Sequence, residues 1–242
     1  MKLFIAHPSG RGINPYTHNS LLYNLWELGY NRIPIVDPKS YDEYPLSRAR
    51  NNIVEDFKKT DCTHVVMYDD DSILPKGTLL RLLSSGKPIT SGWYMSRKGH
   101  GGLVVFSRHE DKELGNPNDF NMYKPIGIRE LISKPSEKTE AGTLVTVDGI
   151  GLGCIVIERS VFEKVEYPWF AEWTPVLQRD SHPFGEDLWF AERCALFGVD
   201  ITVNLKCFVG HWASQGGVIG SEHLKRRALD EGLMPEDLTA IE

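Results

Sequence analysis

Cysteine is scarce in this 242-residue chain: Cys62, Cys154, Cys194 and Cys207 have no Cys-x-x-Cys pairing. They outline no disulfide framework, so isolated thiols buried in a reduced cytoplasm are expected. Long apolar runs are missing too. None approaches the ~18 residues that suggest a membrane span, and MKLFIAHPSG is too short and too soon polar for a signal peptide. An excess of positive charge is also lacking: 27 Lys and Arg against 33 Asp and Glu leave a formal charge of −6. That balance, with a pI near 5.8, argues against an extended nucleic-acid-binding face but leaves room for a local basic groove. Internal repeats and low-complexity tracts do not occur. What is present, 41% hydrophobic and 25% charged residues, describes an ordinary globular protein with a cytoplasmic location expected. The length suits one large α/β domain or two small ones.

Strand and helix patterns alternate over the first third. KLFIA (2 to 6) reads as a buried strand, followed by a polar Gly-bearing loop. An amphipathic helix is predicted at 18 to 29, with Leu21, Leu22, Leu25, Trp26 and Leu28 as its apolar stripe. RIPIV (32 to 36) is a second strand. LSRARNNIVEDFKK is a second helix, with Leu46, Ala49, Ile53 and Phe57 at helical spacing. A third strand ends in HVVMY. This order is that of a parallel sheet with helices on its faces. Ligands in such sheets sit beyond the carboxyl ends of the strands, which puts His7 and the end of the third strand on one rim.

Further on, a helix is predicted from Pro75 through LLRLL, and a strand at PITSGWYM (88 to 95). Residues 108 to 142, rich in charge, Asn, Pro and Gly, read as a long excursion facing a substrate. TLVTVD and GCIVIE are strands on either side of a Gly-rich turn. A helix begins near Glu186, with Leu188, Ala191, Ala195 and Leu196 on one face. DITVN is a late strand, which KCFVGH continues or follows. Residues 213 to 242 read as a tail with a glycine hinge and a charged helix, SEHLKRRALDEG.

Chemistry concentrates where the third strand runs into Asp69, Asp70 and Asp71. Adjacent carboxylates repel, so a fold that gathers them at a strand end needs a compensating cation. A hard divalent metal holding a diphosphate suits such oxygen ligands; an acidic turn capping the next helix is the plain alternative. Four segments accompany the triplet. SRARNN (47 to 52) reads equally as solvated helix surface. VDGIGLGCIVIE carries Gly149, Gly151 and Gly153, which let a ligand approach the backbone or simply shape a hairpin. HPFGEDLWFAERC opens a helix with Glu186 and Asp187, where the macrodipole alone favours acids. Gly210-His211-Trp212 closes a late strand, and a lone His is usually structural.

In this order, over residues 1 to 212, the set resembles the glycosyltransferases of the GT-A fold, most closely the family 2-like enzymes. The resemblance implies one domain with a mixed, mainly parallel central sheet: residues 1 to 95 bind the nucleotide sugar and 96 to 212 serve the acceptor. It implies Mn²⁺ or Mg²⁺ held by Asp69, Asp71 and His211, with Asp70 near the donor ribose or sugar and Arg50 and Asn51 near the nucleotide. A UDP- or GDP-sugar is the implied donor. Gly149 and Gly151 fall on the acceptor side, and Asp187 is the base, assisted by Glu186. Ala6, His7, Pro8 and Ser9 are expected to line the nucleobase pocket. Trp93 and Tyr94 are placed either against a donor or acceptor ring or in the core. Trp212, Gly216 and Gly217 are a candidate lid.

The chemistry fits these residue types. A metal neutralises charge on a departing diphosphate without a proton donor, and a carboxylate not bound to it must accept the acceptor's proton. Direct displacement inverts the anomeric centre. Three other readings stand beside this one. A haloacid-dehalogenase-type phosphatase also places Asp-x-Asp after a strand. A sugar nucleotidyltransferase shares the sheet and the metal logic, and a non-catalytic nucleotide-sugar binder needs no base.

Overall fold

Leu3, Ile5, Val66 and Tyr68 pack on one side of a central sheet, while Phe4, Ala6, Val65 and Met67 pack on the other. Alternate residues of an extended chain point to opposite faces, so two strands apolar at every position must be covered on both. The computed structural model describes residues 1–10, 12–97, 102–110, 122–172, 185–213 and 217–234, with Asp37 described by its backbone alone.

Along the chain the elements begin with β1 (Leu3–Pro8), α1 (Pro15–Tyr30), β2 (Ile35–Tyr41), α2 (Leu46–Lys58) and β3 (His64–Tyr68). Next come β4 (Ser72–Ile73), α3 (Thr78–Leu83), β5 (Ile89–Trp93), β6 (Val105–Arg108) and β7 (Tyr123–Pro125). They continue as α4 (Ile128–Ser133), β8 (Ser136–Thr139), β9 (Gly142–Val147), β10 (Gly149–Ile150), β11 (Cys154–Glu158) and α5 (Arg159–Lys164). The last are α6 (Glu186–Leu196), β12 (Ile201–Phe208), β13 (Gly210–Ala213), β14 (Gly217–Ile219) and α7 (Ser221–Asp230).

The central sheet has eight strands in the order β2-β1-β3-β11-β5-β12-β9-β8. β1 pairs in parallel with β2 and β3, and β5 with β12, while β11 runs antiparallel between β3 and β5. With β9 antiparallel to β12 and β8 to β9, all strands but β11 and β9 share one direction. This is the mixed, mainly parallel sheet anticipated from the sequence, in one domain. α2 covers one face through Ala49, Ile53 and Phe57; α1 and α3 cover the other through Leu21, Leu28, Leu79 and Leu82.

Several expectations are corrected. β1 runs to Pro8, and β2 lies later than RIPIV, from Ile35 to Tyr41. On α1, Leu22 and Trp26 face solvent at 50% and 72% exposure, whereas Thr17, Ser20 and Asn24 are buried. For Ser20 and Asn24 the reason is hydrogen bonding. The Asn24 amide donates to the carbonyls of Leu74 and Pro75 and accepts from the Leu79 N–H, while the Ser20 hydroxyl accepts from the Leu74 N–H. The inner face of α1 thus anchors the chain leaving the Asp triplet. The supposed excursion at 108 to 142 contains β7, α4 and β8 where it is described. β9 and β11, expected around one turn, do not pair, because β9 joins β12 and β11 inserts between β3 and β5.

The C-terminal segment also packs down. Leu224, Ala228 and Leu233 are buried, and the Arg129 guanidinium donates to the carbonyls of Glu231 and Gly232. All four cysteines are buried and unpaired. Among the described residues no helix is long and apolar enough to cross a membrane.

Candidate functional site

The carboxyl ends of β1, β3 and β5 open on one rim, and the antiparallel β11 enters there. The Asp69 N–H donates to the Gly153 carbonyl at 3.1 Å, and the Asn14 N–H to the Asp70 carbonyl at 3.0 Å. A small second sheet, β14-β13-β4, completes the rim. Its register sets His211 opposite Ser72, and the Trp212 N–H donates to the Asp71 carbonyl at 2.9 Å. A late strand is thereby pinned directly onto the triplet.

The three aspartates have different surroundings. Asp69 accepts from Nη2 of Arg50 at 2.7 Å, and Nε of the same arginine donates to Glu186 at 3.2 Å. Arg50 is 1% exposed. Burial works against its charge, but the charges of Asp69 and Glu186 more than offset this, and the guanidinium stays protonated. Its Nη1 is buried without a partner among the described residues. Asp70, half-buried, lies between.

Asp71 faces His211 instead. Oδ1 of Asp71 lies 3.3 Å from Nε2 of His211, and Arg97 pairs with its Oδ2. Burial alone would raise the Asp71 carboxyl, but the hydrogen bond and charge of His211, with Arg97, hold it below the ordinary value. Nδ1 of His211 lies 3.0 Å from the Met95 carbonyl. A carbonyl only accepts, so Nδ1 carries a hydrogen. Nε2 faces the Asp71 carboxylate: it donates there when it carries a proton, and when that proton is gone its lone pair points into the same space.

The expected metal triad is only partly assembled. Asp71 and His211 come together, but Asp69 is turned to Arg50, and no group of three potential ligands exists among the described residues. The pair nevertheless suits a cation. A carboxylate oxygen and an imidazole nitrogen 3.3 Å apart match the roughly 3 Å edge of an octahedron with ligand bonds of about 2.1 Å. Diphosphate oxygens and water would have to complete the shell.

At the start of α6 the two acids also differ. Glu186 is committed to Arg50, whereas Asp187 pairs with no cation among the described residues and accepts the Leu188 N–H at 2.8 Å. Burial, then the neighbouring charge of Glu186, pushes the Asp187 carboxyl up to about 6. The carboxylate folds back over Gly185, where a Cβ would stand 2.6 Å from Oδ1. Glycine at 185 therefore leaves room for this rotamer.

Other candidates make contacts within the protein. Asn51 is not turned to a ligand: its side chain donates to the Phe170 carbonyl and accepts from the Phe170 N–H. Trp93 is wholly buried, donates to the Leu205 carbonyl and packs edge-on against Phe208, so it offers no ring face to a sugar. Tyr94 is 7% exposed; its hydroxyl accepts from the Gly153 N–H and its ring meets His211 edge-on at 5.3 Å. Tyr94 also accounts for two glycines. A Cβ at Gly151 would strike its hydroxyl, and one at Gly153 would stand 2.8 Å from its ring. A Cβ at Gly149 would meet Leu188 at 3.0 Å. These contacts are internal packing.

On the donor side Ala6 is fully buried and Pro8 lies inside the sheet. Ser9 accepts from the Gly12 N–H, shaping the following turn, while His7 shares a 2.6 Å hydrogen bond with Ser40 and packs on Tyr68. Nδ1 of His7 is buried with no partner among the described residues. Trp212 stacks on Tyr16 at 4.9 Å, and Gly217 begins β14; Gly216 lies outside the described residues. Sequence reasoning did not find Arg97 or Met95, since nothing in their spacing marks them.

No protein-family model matches the chain, and no curated protein matches it in sequence. Among solved structures, A197 from STIV is similar over 91% of this chain and 94% of its own, with a TM-score of 0.53 and 17% identity. GalNAc-T7, crystallised with UDP, GalNAc and Mn²⁺, aligns over 87% of this chain and 43% of its own, with a TM-score of 0.48 and 12% identity. TarS 1-349 of S. aureus, in complex with UDP-GlcNAc, aligns over 90% and 58%, with a TM-score of 0.42 and 10% identity. At such identities the likeness concerns fold alone, and of these three the A197 match carries it. The chain shares with A197 a mixed, mainly parallel α/β fold, and it carries a charged rim at the carboxyl ends of its parallel strands.

Proposed function

We propose that the chain is a metal-dependent, family 2-like glycosyltransferase that moves a sugar from a nucleotide-diphosphate sugar to an acceptor hydroxyl with inversion. The observation that supports this most is the different environment of four carboxylates on one rim. Asp69 and Glu186 share the buried Arg50, Asp71 faces the imidazole of His211, and Asp187 has no cation partner among the described residues. A site for phosphate departure beside an uncommitted base is what glycosyl transfer requires.

In this reading Asp71 and His211 hold Mn²⁺ or Mg²⁺, which when bound neutralises charge on the leaving diphosphate. Asp187 accepts the acceptor's proton as the hydroxyl oxygen bonds to the anomeric carbon and the bond from that carbon to the phosphate oxygen breaks. A carboxyl raised to about 6 is ionised near neutrality yet more basic than an ordinary aspartate, which suits that role. Arg50 holds Asp69 and Glu186 in place, and so joins the donor half to the acceptor half. A phosphatase would need Asp69 as nucleophile, a role that its ion pair with Arg50 disfavours.

The test is incubation of the purified protein with Mn²⁺ and a panel of UDP- and GDP-sugars. Release of a nucleoside diphosphate, abolished by chelation and by Asp71→Ala, is expected. Release of inorganic phosphate from simple phosphate esters instead would falsify the transferase reading.

A further inference from the structure

Two arginines pair with the ends of the triplet, at Asp69 and at Asp71, and they are built differently. Arg50 is sealed in the interior and holds two carboxylates at once. Arg97 holds Asp71 alone, and its side chain is 46% exposed. It extends from the chain just after Met95, whose bridge to Leu103, with hydrogen bonds Ser96 to Gly102 and Val104 to Tyr94, makes a firm antiparallel base. That base also holds His211 through the Met95 carbonyl. The guanidinium can therefore leave Asp71 while the backbone that orients the imidazole stays in place.

Resting on the cation site proposed above, we propose that Arg97 is a positioning residue that competes with the divalent cation for Asp71. The cation site lies at Oδ1 of Asp71, beside His211, and Arg97 holds Oδ2, so two positive charges draw on one carboxylate at close range and each weakens the hold of the other. The metal alone then binds against the charge of Arg97, and loosens it from Asp71. A diphosphate alters this balance. It offers the released guanidinium a new anionic partner, for which the planar fork of arginine is suited, and it supplies oxygens to the metal. Cation and diphosphate should consequently bind with positive coupling, and part of that coupling should reside in Arg97. The partly exposed pair can be exchanged in this way; the sealed Arg50 pair cannot.

Mn²⁺ binding, read from the electron paramagnetic resonance of the free ion, tests this without any turnover. The proteins are the intact chain and its Arg97→Gln, Arg97→Lys and Asp71→Asn variants, each with and without UDP as the diphosphate probe. Arg97→Gln should bind Mn²⁺ alone about five- to tenfold more tightly than the parent, and UDP should strengthen that binding less than it does in the parent. Arg97→Lys, which keeps the charge, should stay near the parent, and Asp71→Asn should lose binding in every case. If Arg97→Gln binds Mn²⁺ no better than the parent while Asp71→Asn loses it, competition is refuted and the cation site stands. If Mn²⁺ binding ignores Asp71 altogether, both ideas fail.

Discussion

Nε of Arg50 donates to Oε1 of Glu186 across 3.2 Å and 136 residues of chain. The same guanidinium reaches Asp69 through Nη2, so one buried cation ties helix α2 to the end of β3 and the start of α6. Removing one partner of such a network leaves the others charged and out of water.

Arg50→Met should therefore destabilise the protein by about 3–5 kcal/mol in urea unfolding, because Asp69 and Glu186 are left facing each other uncompensated. Arg50→Lys should recover little of this, since a single ammonium cannot reproduce the two-pronged contact. A Lys variant as stable as the parent would show that charge alone suffices.

Asp187→Asn should retain the fold and lose at least about 100-fold in transfer rate, the usual loss on removing a general base. In the parent, kcat/KM should rise with pH below about 6 and level off above it, because the base acts only when ionised. A flat profile between pH 5 and 7 would move the base elsewhere, Glu186 first.

The same group makes a stability prediction with a definite sign. Its folded pKa, about 6, lies above the ordinary aspartate value of 3.8, so the folded state binds the proton more tightly than the unfolded one. That contribution is fully present below the unfolded value and is lost as pH rises through about 6. Asp187→Asn should accordingly be more stable than the parent at pH 8, by on the order of 1–3 kcal/mol, with the difference vanishing toward pH 4. Chemical denaturation at the two pH values checks it.

Asn51→Ala should lower stability by about 1–3 kcal/mol, because both backbone groups of Phe170 lose their partner. Affinity for UDP, measured by calorimetry, should hardly change. A large loss of nucleotide affinity without a loss of stability would restore Asn51 to the donor pocket.

Gly151→Ala should be strongly destabilising, since its Cβ would collide with the Tyr94 hydroxyl and stand 2.6 Å from Cγ1 of Val104. Tyr94→Phe in the same background should recover part of the loss. The coupling in a double-mutant cycle measures how closely the two residues pack.

The periodicity of residues 2 to 68 and the position of Glu186 and Asp187 at a helix start were legible in the chain itself, because strand alternation, helical spacing and the macrodipole act over a few residues. So was the gathering of carboxylates at a strand end. Which carboxylate does what was not legible. Asp69, Asp70 and Asp71 are the same residue type in a row, and only the approach of Arg50 from α2, and of Arg97 and His211 from distant segments, distinguishes them. Likewise Asn51 and Trp93 look like ligand contacts until Phe170 and Leu205 are seen to hold their polar groups. Local chemistry determined the elements and supplied the charges. Long-range pairing, above all β4 with β13, decided which charge meets which partner, since a residue's solvation and neighbours are properties of the folded chain.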